Sequence, residues 1–256
     1  MNLTEEQLER YSRHLVLDTI GRRGQEKIMA GKVLVIGTGG LGSPVSLYLA
    51  AAGVGTLGIV DSDVVDLSNL QRQLLHTVQD IGRPKVLSAR EKINRLNPDV
   101  NVVTYHEKVD AQTLTDVIRD REYDFIIDAT DNFPSKFLIN DTCVLLKKPF
   151  SHAGVIRFQG QTMTYVPGKG PCYRCLFEEP PQEGVVPSSK EVGILGAAAG
   201  VIGTIQATEA LKYLLDAGTL LTGTLLTYDG LTMTFRRIPV SHNPQCPACG
   251  NQHASA

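Results

Sequence analysis

Apolar and polar positions along the chain follow two periods, one near 3.6 residues and one set of short continuous apolar runs. Thr4 and Gln7 form a capping-box pair ahead of LERYSRHLVL, which predicts a helix from residue 4. A second short helix is expected over about 22–29. Val33–Ile36 is a continuous apolar run, the pattern of a strand buried on both faces of a parallel sheet. Gly42–Ala52 predicts a helix, with Pro44 tolerated in its first turn. Leu57–Val60 repeats the buried-strand pattern. Residues 62–83 are polar and irregular, with one helical turn expected near 69–75. Val86, Ala89, Ile93 and Leu96 recur at helical spacing, and Asn97-Pro98 ends that helix. The expected order then runs strand 100–105, helix 111–119, strand 125–128, the loop ATDNFPS, helix 135–146 and a short strand 149–153.

This alternation predicts an α/β fold, Rossmann-like, with a doubly wound and mostly parallel sheet. Ligands of such a sheet bind outside the carboxyl ends of its strands. Gly37–Gly42, Asp61 and residues 129–132 all fall there. Beyond residue 155 the pattern changes. Residues 161–166, 224–228 and 233–238 read as antiparallel strands that continue the sheet. Residues 177–191 (FEEPPQEGVVPSSKE) are rich in Pro, Gly, Ser and charge and are expected to form a long mobile loop; such loops are usually functional or disordered. A helix of small residues is expected over 194–215. A single domain over 1–250 fits this pattern, with a nucleotide-binding part at about 30–155, a second part at about 156–250, and a tail at 251–256.

The chain has 256 residues, 42% apolar and 20% charged, an ordinary balance for a soluble domain with a buried core. A net charge of −2 provides no long-range field toward nucleic acid or an anionic membrane, so neither is an expected partner. The N-terminus MNLTEEQLER does not resemble a secretory signal. The longest apolar run, 192–205, falls short of the about 20 residues that span a bilayer. A cytoplasmic location is expected. Four of the five cysteines form two C-x-x-C pairs, Cys172/Cys175 and Cys246/Cys249. Their chemistry suits a tetrahedral thiolate site for zinc, structural because four thiolates leave no open position for water. A redox pair or an iron–sulfur cluster are the alternatives. Cys143 lies in the apolar run 142–146 and is expected to be a buried, inert thiol.

Gly37, Gly39 and Gly42 spell G-x-G-x-x-G between a strand and a helix, where backbone and helix amides approach phosphate. Asp61, about 20 residues on, suits a ribose-hydroxyl acceptor. A hydride-transferring, NAD-dependent enzyme would share these features. It has no need of the next set: Arg72 and Lys85 as cations, with Asn69 and Gln73 as neutral donors. Positioned cations and amides stabilise the charge that develops as pyrophosphate departs. Asp131 is the expected Mg²⁺ carboxylate against nucleotide phosphates, and Asp128 the residue that orients its loop. No Ser-His-Asp arrangement stands out. His14, His76, His106 and His152 are expected to be structural or surface residues.

Four motifs together resemble the ThiF/MoeB/HesA family, bacterial relatives of ubiquitin-activating enzymes. They are R-Y-S-R-H at 10–14, G-T-G-G-L-G with D-x-D-x-V at 37–65, S-N-L-Q-R-Q with G-R-P-K at 68–85, and the two C-x-x-C pairs. The resemblance covers about residues 4–250. It implies ATP- and Mg²⁺-dependent adenylation of the C-terminal glycine of a small ubiquitin-like sulfur carrier (ThiS/MoaD-like, Gly-Gly-ended), with release of pyrophosphate. It implies a homodimer in which Arg13 reaches the partner's ATP. Gly40, Asp61, Asn69, Arg72, Gln73, Lys85 and Asp131 match the family's nucleotide and magnesium positions, and the four paired cysteines its structural zinc. The 177–191 loop and the nearby sheet would receive the carrier's tail.

Many members carry a cysteine in that loop, four residues before a glycine matching Gly193; here Ser189 stands there. A hydroxyl is a much poorer nucleophile than a thiolate at neutral pH, so the resemblance carries no thioester or persulfide step through this position. An adenylation-only enzyme, a serine engineered in place of cysteine, and substitution by another thiol all stay open. No rhodanese-like extension follows residue 250, so a separate protein is the expected sulfur donor. Adenylation of a tRNA would call for basic surface that this composition does not offer. A catalytically silent module that docks a ubiquitin-like protein is the remaining alternative, and intact Arg72, Lys85 and Asp131 speak against it.

Overall fold

One sheet of eight strands runs through the computed structural model, which describes residues 3–182, 185–187 and 189–250, with backbone alone for residues 189 and 190. The chain enters through α1 (Glu5–Arg10) and α2 (Ser12–Leu15). Thr4 and Gln7 form the expected capping box. The single helix expected from residue 4 is instead broken at Tyr11, whose ring is buried and whose hydroxyl accepts from Asn97 Nδ2 at 2.9 Å. Burying that large ring turns the chain out of its helical path.

The parallel half follows. It comprises α3 (Gly21–Ala30), β1 (Lys32–Ile36), α4 (Gly42–Ala52), β2 (Thr56–Val60), α5 (Lys85–Leu96), β3 (Asn101–Tyr105), α6 (Ala111–Asp120), β4 (Phe125–Asp128), α7 (Phe133–Leu145) and β5 (Phe150–Ile156). The antiparallel half adds β6 (Gln159–Tyr165), the short helices α8 (Tyr173–Leu176) and α9 (Ser189–Val192), the long α10 (Gly196–Leu215), β7 (Thr224–Asp229) and β8 (Thr234–Pro239). The spatial order is β3-β2-β1-β4-β5-β6-β7-β8, parallel through β5 and antiparallel beyond. This matches the expected doubly wound sheet continuing into antiparallel strands. From β1 the chain builds outward to β2 and β3, then returns to the other side of β1 as β4. The crevice at that reversal, outside the carboxyl ends of β1 and β4, is where such sheets bind ligands.

Strand residues alternate between two cores. Val33, Val35, Leu57, Ile59, Phe125 and Ile127 face the layer of α4, α5 and α10. Leu34, Ile36, Val60 and Ile126 face the layer that includes Leu114, Ile118, Phe137 and Ile139 of α6 and α7. All ten strand residues are essentially fully buried, each stabilising the fold by about 1.5–3 kcal/mol through removal from water. The small residues of α10 have a geometric purpose. A Cβ on Gly203 would come within 2.6 Å of Leu41 O, and one on Gly196 within 2.5 Å of Gln71 O. Only small residues let this helix run against the start of α4 and against the 71–72 backbone.

Two local expectations are corrected. The helical turn expected near 69–75 is a 3-10 turn at Leu67–Asn69, followed by another at Val78–Asp80. The loop expected over 177–191 is not irregular throughout, because α9 forms at its end. No helix among the described residues is long and apolar enough to cross a membrane.

Candidate active site

The glycine-rich turn begins where β1 ends. Gly37 takes a positive φ of 96°, and a Cβ there would sit 2.8 Å from Ala129 O. At Gly42 a Cβ would lie 1.9 Å from Gly37 O, so the turn closes on itself only if both residues are glycine. The amides of Gly39, Gly40 and Leu41 donate to nothing among the described residues. They stand at the start of α4, whose N-cap position, Leu41, has no side-chain cap. Unpaired amides at a helix N-terminus are an anion site.

Five of the expected residues gather round this turn. Asp61, at the end of β2, takes both the Thr38 amide and the Thr38 hydroxyl on Oδ2 at 2.8 Å, and the Asp63 amide on Oδ1 at 2.9 Å. The carboxylate is thereby fixed at the crevice edge and stays partly exposed. Lys85 opens α5, is almost fully buried, and donates to Asp63 Oδ2 at 2.8 Å. Asn69 accepts from the Asp66 amide through its side chain, and its own carbonyl accepts from the Arg72 and Gln73 amides. That 3-10 turn aims the next two residues inward. The Arg72 stem lies against Gly40, where a Cβ would come within 3.3 Å of its Cγ. Its guanidinium donates to Ser68 O at 3.0 Å and has no carboxylate partner among the described residues. The Gln73 amide nitrogen lies beside Gly39, while its buried Oε1 has no partner among the described residues. A buried acceptor left open at a crevice wall calls for a ligand or water donor.

The remaining wall is the loop after β4. Asp131 is exposed and has no hydrogen-bond or ion-pair partner among the described residues. It is not the cap of α7; Asn132 is, accepting the Ser135 amide at 2.9 Å. Asp131 is therefore free for a cation. A single free carboxylate beside an anion site fits Mg²⁺ carried on ATP phosphates, since this ion keeps waters and takes one or two protein carboxylates. Asp128 is different: fully buried and bonded to Thr130, Lys136 and His152. It orients the loop, as expected.

Arg13 lies elsewhere. It is exposed on α2, and neighbouring His14 reaches Gln25, which donates to Ala52 O at the far end of α4 from the glycine turn. Eleven residues of helix separate the two ends, about 16 Å at 1.5 Å per residue. Within one chain Arg13 does not approach the crevice. Ser189 opens α9, but its side chain falls outside the described residues. Cys143 is fully buried, and burial pushes its thiol well up, so it stays protonated and unreactive.

The four paired cysteines meet on the α7 side of the sheet, with all Sγ atoms within 4.8 Å of one another. Cys172 and Cys246 are 3.6 Å apart and Cys175 and Cys249 3.4 Å apart. A disulfide needs about 2.05 Å. A tetrahedron with Zn–S of about 2.3 Å has sulfurs roughly 3.8 Å apart, which these positions match. Burial pushes the Cys249 thiol up to about 12 in the absence of a cation. Four thiolates packed this closely require a metal to hold their charge.

Thr38, which no sequence pattern marks, anchors Asp61. His76, expected as a structural or surface residue, is buried and joins Ser88 to Thr38 O. Lys136 lies four residues past the α7 cap, one turn inside the helix, where no sequence pattern marks it. Gln206 donates to Asp128 O and Ser151 O, tying α10 to β4 and β5. Burial pulls His76 and His152 down, leaving both rings neutral at pH 7. Burial works against the Asp128 charge, but Lys136, His152 and Thr130 more than offset it and hold the carboxyl down to about 2.

The sign of the pH dependence follows. A depressed carboxyl contributes stability above the unfolded value near 3.9, lost as pH falls toward about 2. Asp128 accounts for about 2–3 kcal/mol at neutral pH. The two buried histidines add an earlier decline below about pH 6.5, where the unfolded chain takes up protons first. Thermal melts from pH 8 to 3 should show the midpoint falling below about 6.5 and falling more steeply below about 4. A flat midpoint over that range would contradict these assignments.

The ThiF family model matches residues 11–248. The chain belongs to the ThiF family. Among similar proteins is the SAMP-activating enzyme E1 of Haloferax volcanii, 48% identical over 98% of this chain and 92% of the relative. The sulfur carrier protein adenylyltransferase of Thermus thermophilus is 45% identical over 98% of this chain and 94% of the relative. The probable adenylyltransferase/sulfurtransferase MoeZ of Mycobacterium tuberculosis is 45% identical over 96% of this chain but only 63% of its own length. Among solved structures, E. coli MccB superposes with a TM-score of 0.82 at 24% identity, over 98% of this chain and 76% of MccB. That likeness concerns the fold alone.

Proposed function

We propose that this chain uses ATP and Mg²⁺ to adenylate the C-terminal glycine of a small ubiquitin-like sulfur-carrier protein and releases pyrophosphate. The carrier carboxylate is already a nucleophile. It attacks the α-phosphorus, an O–P bond forms, the α–β phosphoanhydride bond breaks, and the electron pair leaves on pyrophosphate. Such a step needs alignment and charge neutralisation rather than a general base. The observation that carries this reading is Arg72: its stem packs against Gly40 in the turn with the open amides, and its guanidinium has no carboxylate partner among the described residues. Asp131 would hold Mg²⁺ brought in with ATP, and the ion would supply further neutralisation of the departing pyrophosphate.

Each chain residue has a proposed part. Gly37, Gly39, Gly40 and Gly42 admit the phosphates and Asp61 accepts from ribose. Asn69 and Gln73 bond the nucleotide, with Arg72 and Lys85 neutralising the leaving pyrophosphate and Asp131 holding Mg²⁺. Lys85 must exchange its Asp63 partner for phosphate when ATP enters. Arg13, remote from its own crevice, serves the partner's site in a homodimer. The four cysteines hold zinc. Residues 1–250 act as one adenylation unit, with the carrier tail received beside the 177–191 loop. The proposal ends at the acyl-adenylate: Ser189 offers no thiol, Cys143 is sealed in the core, and sulfur comes from a separate donor in the cytoplasm.

The test is ATP–pyrophosphate exchange with a panel of carriers ending in Gly-Gly, read with intact-protein mass. Exchange that depends on one carrier, with a carrier adenylate and no enzyme adduct, is the expected result. Absence of exchange with every such carrier would overturn the reading.

A further inference from the structure

The loop that carries Asp131 is held by a buried cation outside the set of nucleotide-site residues. Lys136 Nζ donates to Thr130 O at 2.7 Å, to Ala153 O at 2.5 Å and to Asp128 Oδ2 at 3.2 Å. Its side chain is 7% exposed, and that of Asp128 is 0%. Asp128 Oδ1 in turn accepts the Thr130 amide at 3.0 Å and the Thr130 hydroxyl at 2.6 Å. Thr130 is thus gripped through its amide, its hydroxyl and its carbonyl. On the other side of Asp131, Asn132 is fixed as the cap of α7, and its carbonyl accepts the Lys136 amide at 3.2 Å. Asp131 is the one residue between two immobilised neighbours, and it has no partner of its own among the described residues.

A lysine is almost never fully buried unless it is paired. Burying an ion pair gives up hydration that apolar packing would not require, so such a pair is weak evidence for stability alone. Here the ammonium, carried on α7, bonds to the end of β4 through Asp128, to the loop that follows through Thr130, and to β5 through Ala153. Its one contact in the crevice wall is the Thr130 carbonyl, next to Asp131. What it determines is where the Thr130 carbonyl points, and with it the direction in which the next side chain leaves the backbone.

We propose that Lys136 is a positioning residue for the Mg²⁺ carboxylate: by fixing Thr130 from beneath, it presets Asp131 toward the metal that arrives with ATP. The proposal rests on the Mg²⁺ role assigned to Asp131 above. Residues that orient a metal ligand from behind typically change metal affinity by about 10- to 100-fold when removed. The ammonium contributes no ligand of its own; it reduces the range of directions the free carboxylate must give up when the metal binds.

Removing the lysine alone leaves the Asp128 charge buried without its ammonium and risks unfolding. The variant to make is the double substitution Lys136→Met/Asp128→Asn, which deletes both charges and keeps similar volumes. Isothermal titration with ATP, at zero and at increasing Mg²⁺, separates nucleotide binding from the magnesium increment without any need for turnover. The expected result is unchanged ATP affinity without Mg²⁺, and an about 10- to 100-fold rise in the Mg²⁺ concentration needed for half of the increment. In an Asp131→Asn background the same double substitution should have no further effect. An unaltered Mg²⁺ requirement in the folded variant overturns the proposal, as does an equal loss of ATP affinity with and without Mg²⁺. If wild type binds MgATP but no carrier supports exchange, the adenylation reading fails while this one still stands or falls on the titration.

Discussion

Arg72→Ala should lower carrier-dependent pyrophosphate exchange by about 100- to 1,000-fold, the loss that follows removal of one group poised for transition-state charge. The expectation comes from what Arg72 lacks as much as from what it touches. Its guanidinium has one protein bond, to Ser68 O, and no carboxylate partner among the described residues. A cation without a carboxylate partner, on a stem that packs against Gly40 beside three open amides, is available to an anion. The same isolation predicts a small effect on stability. A half-buried arginine with one backbone bond leaves no buried charge behind, so the melting temperature should move by only a few degrees for about 1 kcal/mol in a chain of this size. Arg72→Lys keeps the charge but loses the planar fork, and should fall between the two. Exchange within tenfold of wild type in Arg72→Ala, with normal folding, would remove this residue from the machinery and with it the main support for the proposed chemistry.

Much of this site was legible in the chain because its chemistry is local. The glycine turn, Asp61 and the 69–73 segment each declare themselves within a few residues, since a turn that must admit phosphate leaves little choice of side chain. The apolar runs at 33–36, 57–60 and 125–127 carry no polar interruption, the pattern of strands buried on both faces of a parallel sheet. What escaped was whatever depends on contacts remote in sequence. Lys136 and His152 meet Asp128 only after α7 and β5 have packed, and no period marks them. Gln206 is far along the chain from the carbonyl it bonds. The break at Tyr11 has the same cause: the capping box and spacing favour one continuous helix, and a buried hydroxyl bonded to Asn97 overrides them. Local rules pointed to the candidate phosphate-handling groups, and tertiary packing set the residues that hold them.

The second large effect concerns the cysteine cluster, whose members come from two segments far apart in the chain. Cys172 and Cys175 flank the start and the body of α8, while Cys246 and Cys249 lie beyond β8. α8 is itself pinned to α7: the Tyr173 amide donates to Asn140 Oδ1 at 2.8 Å, and Arg174 makes two bonds to Asp141, at 2.7 and 2.8 Å. In the described part of the segment after β8, Asn243 adds two bonds to the sulfur contacts: its amide donates to Cys175 Sγ and its side chain to Glu178. Zinc therefore does more for the C-terminal segment than for α8. Metal analysis should give one zinc per chain. A strong chelator, or Cys246→Ser, should remove it and lower the melting temperature by on the order of 10 °C, taking a cross-link that closes a long loop as worth a few kcal/mol in a chain of this size. Because α8 keeps its bonds to Asn140 and Asp141, proteolysis of the zinc-free protein should begin after β8 and spare the nucleotide half. ATP binding should survive at temperatures where the intact fold persists. Iron in place of zinc, or a melting temperature indifferent to chelation, would contradict this account; first cleavage within α7 or α8 would show that the metal holds the other side of the joint.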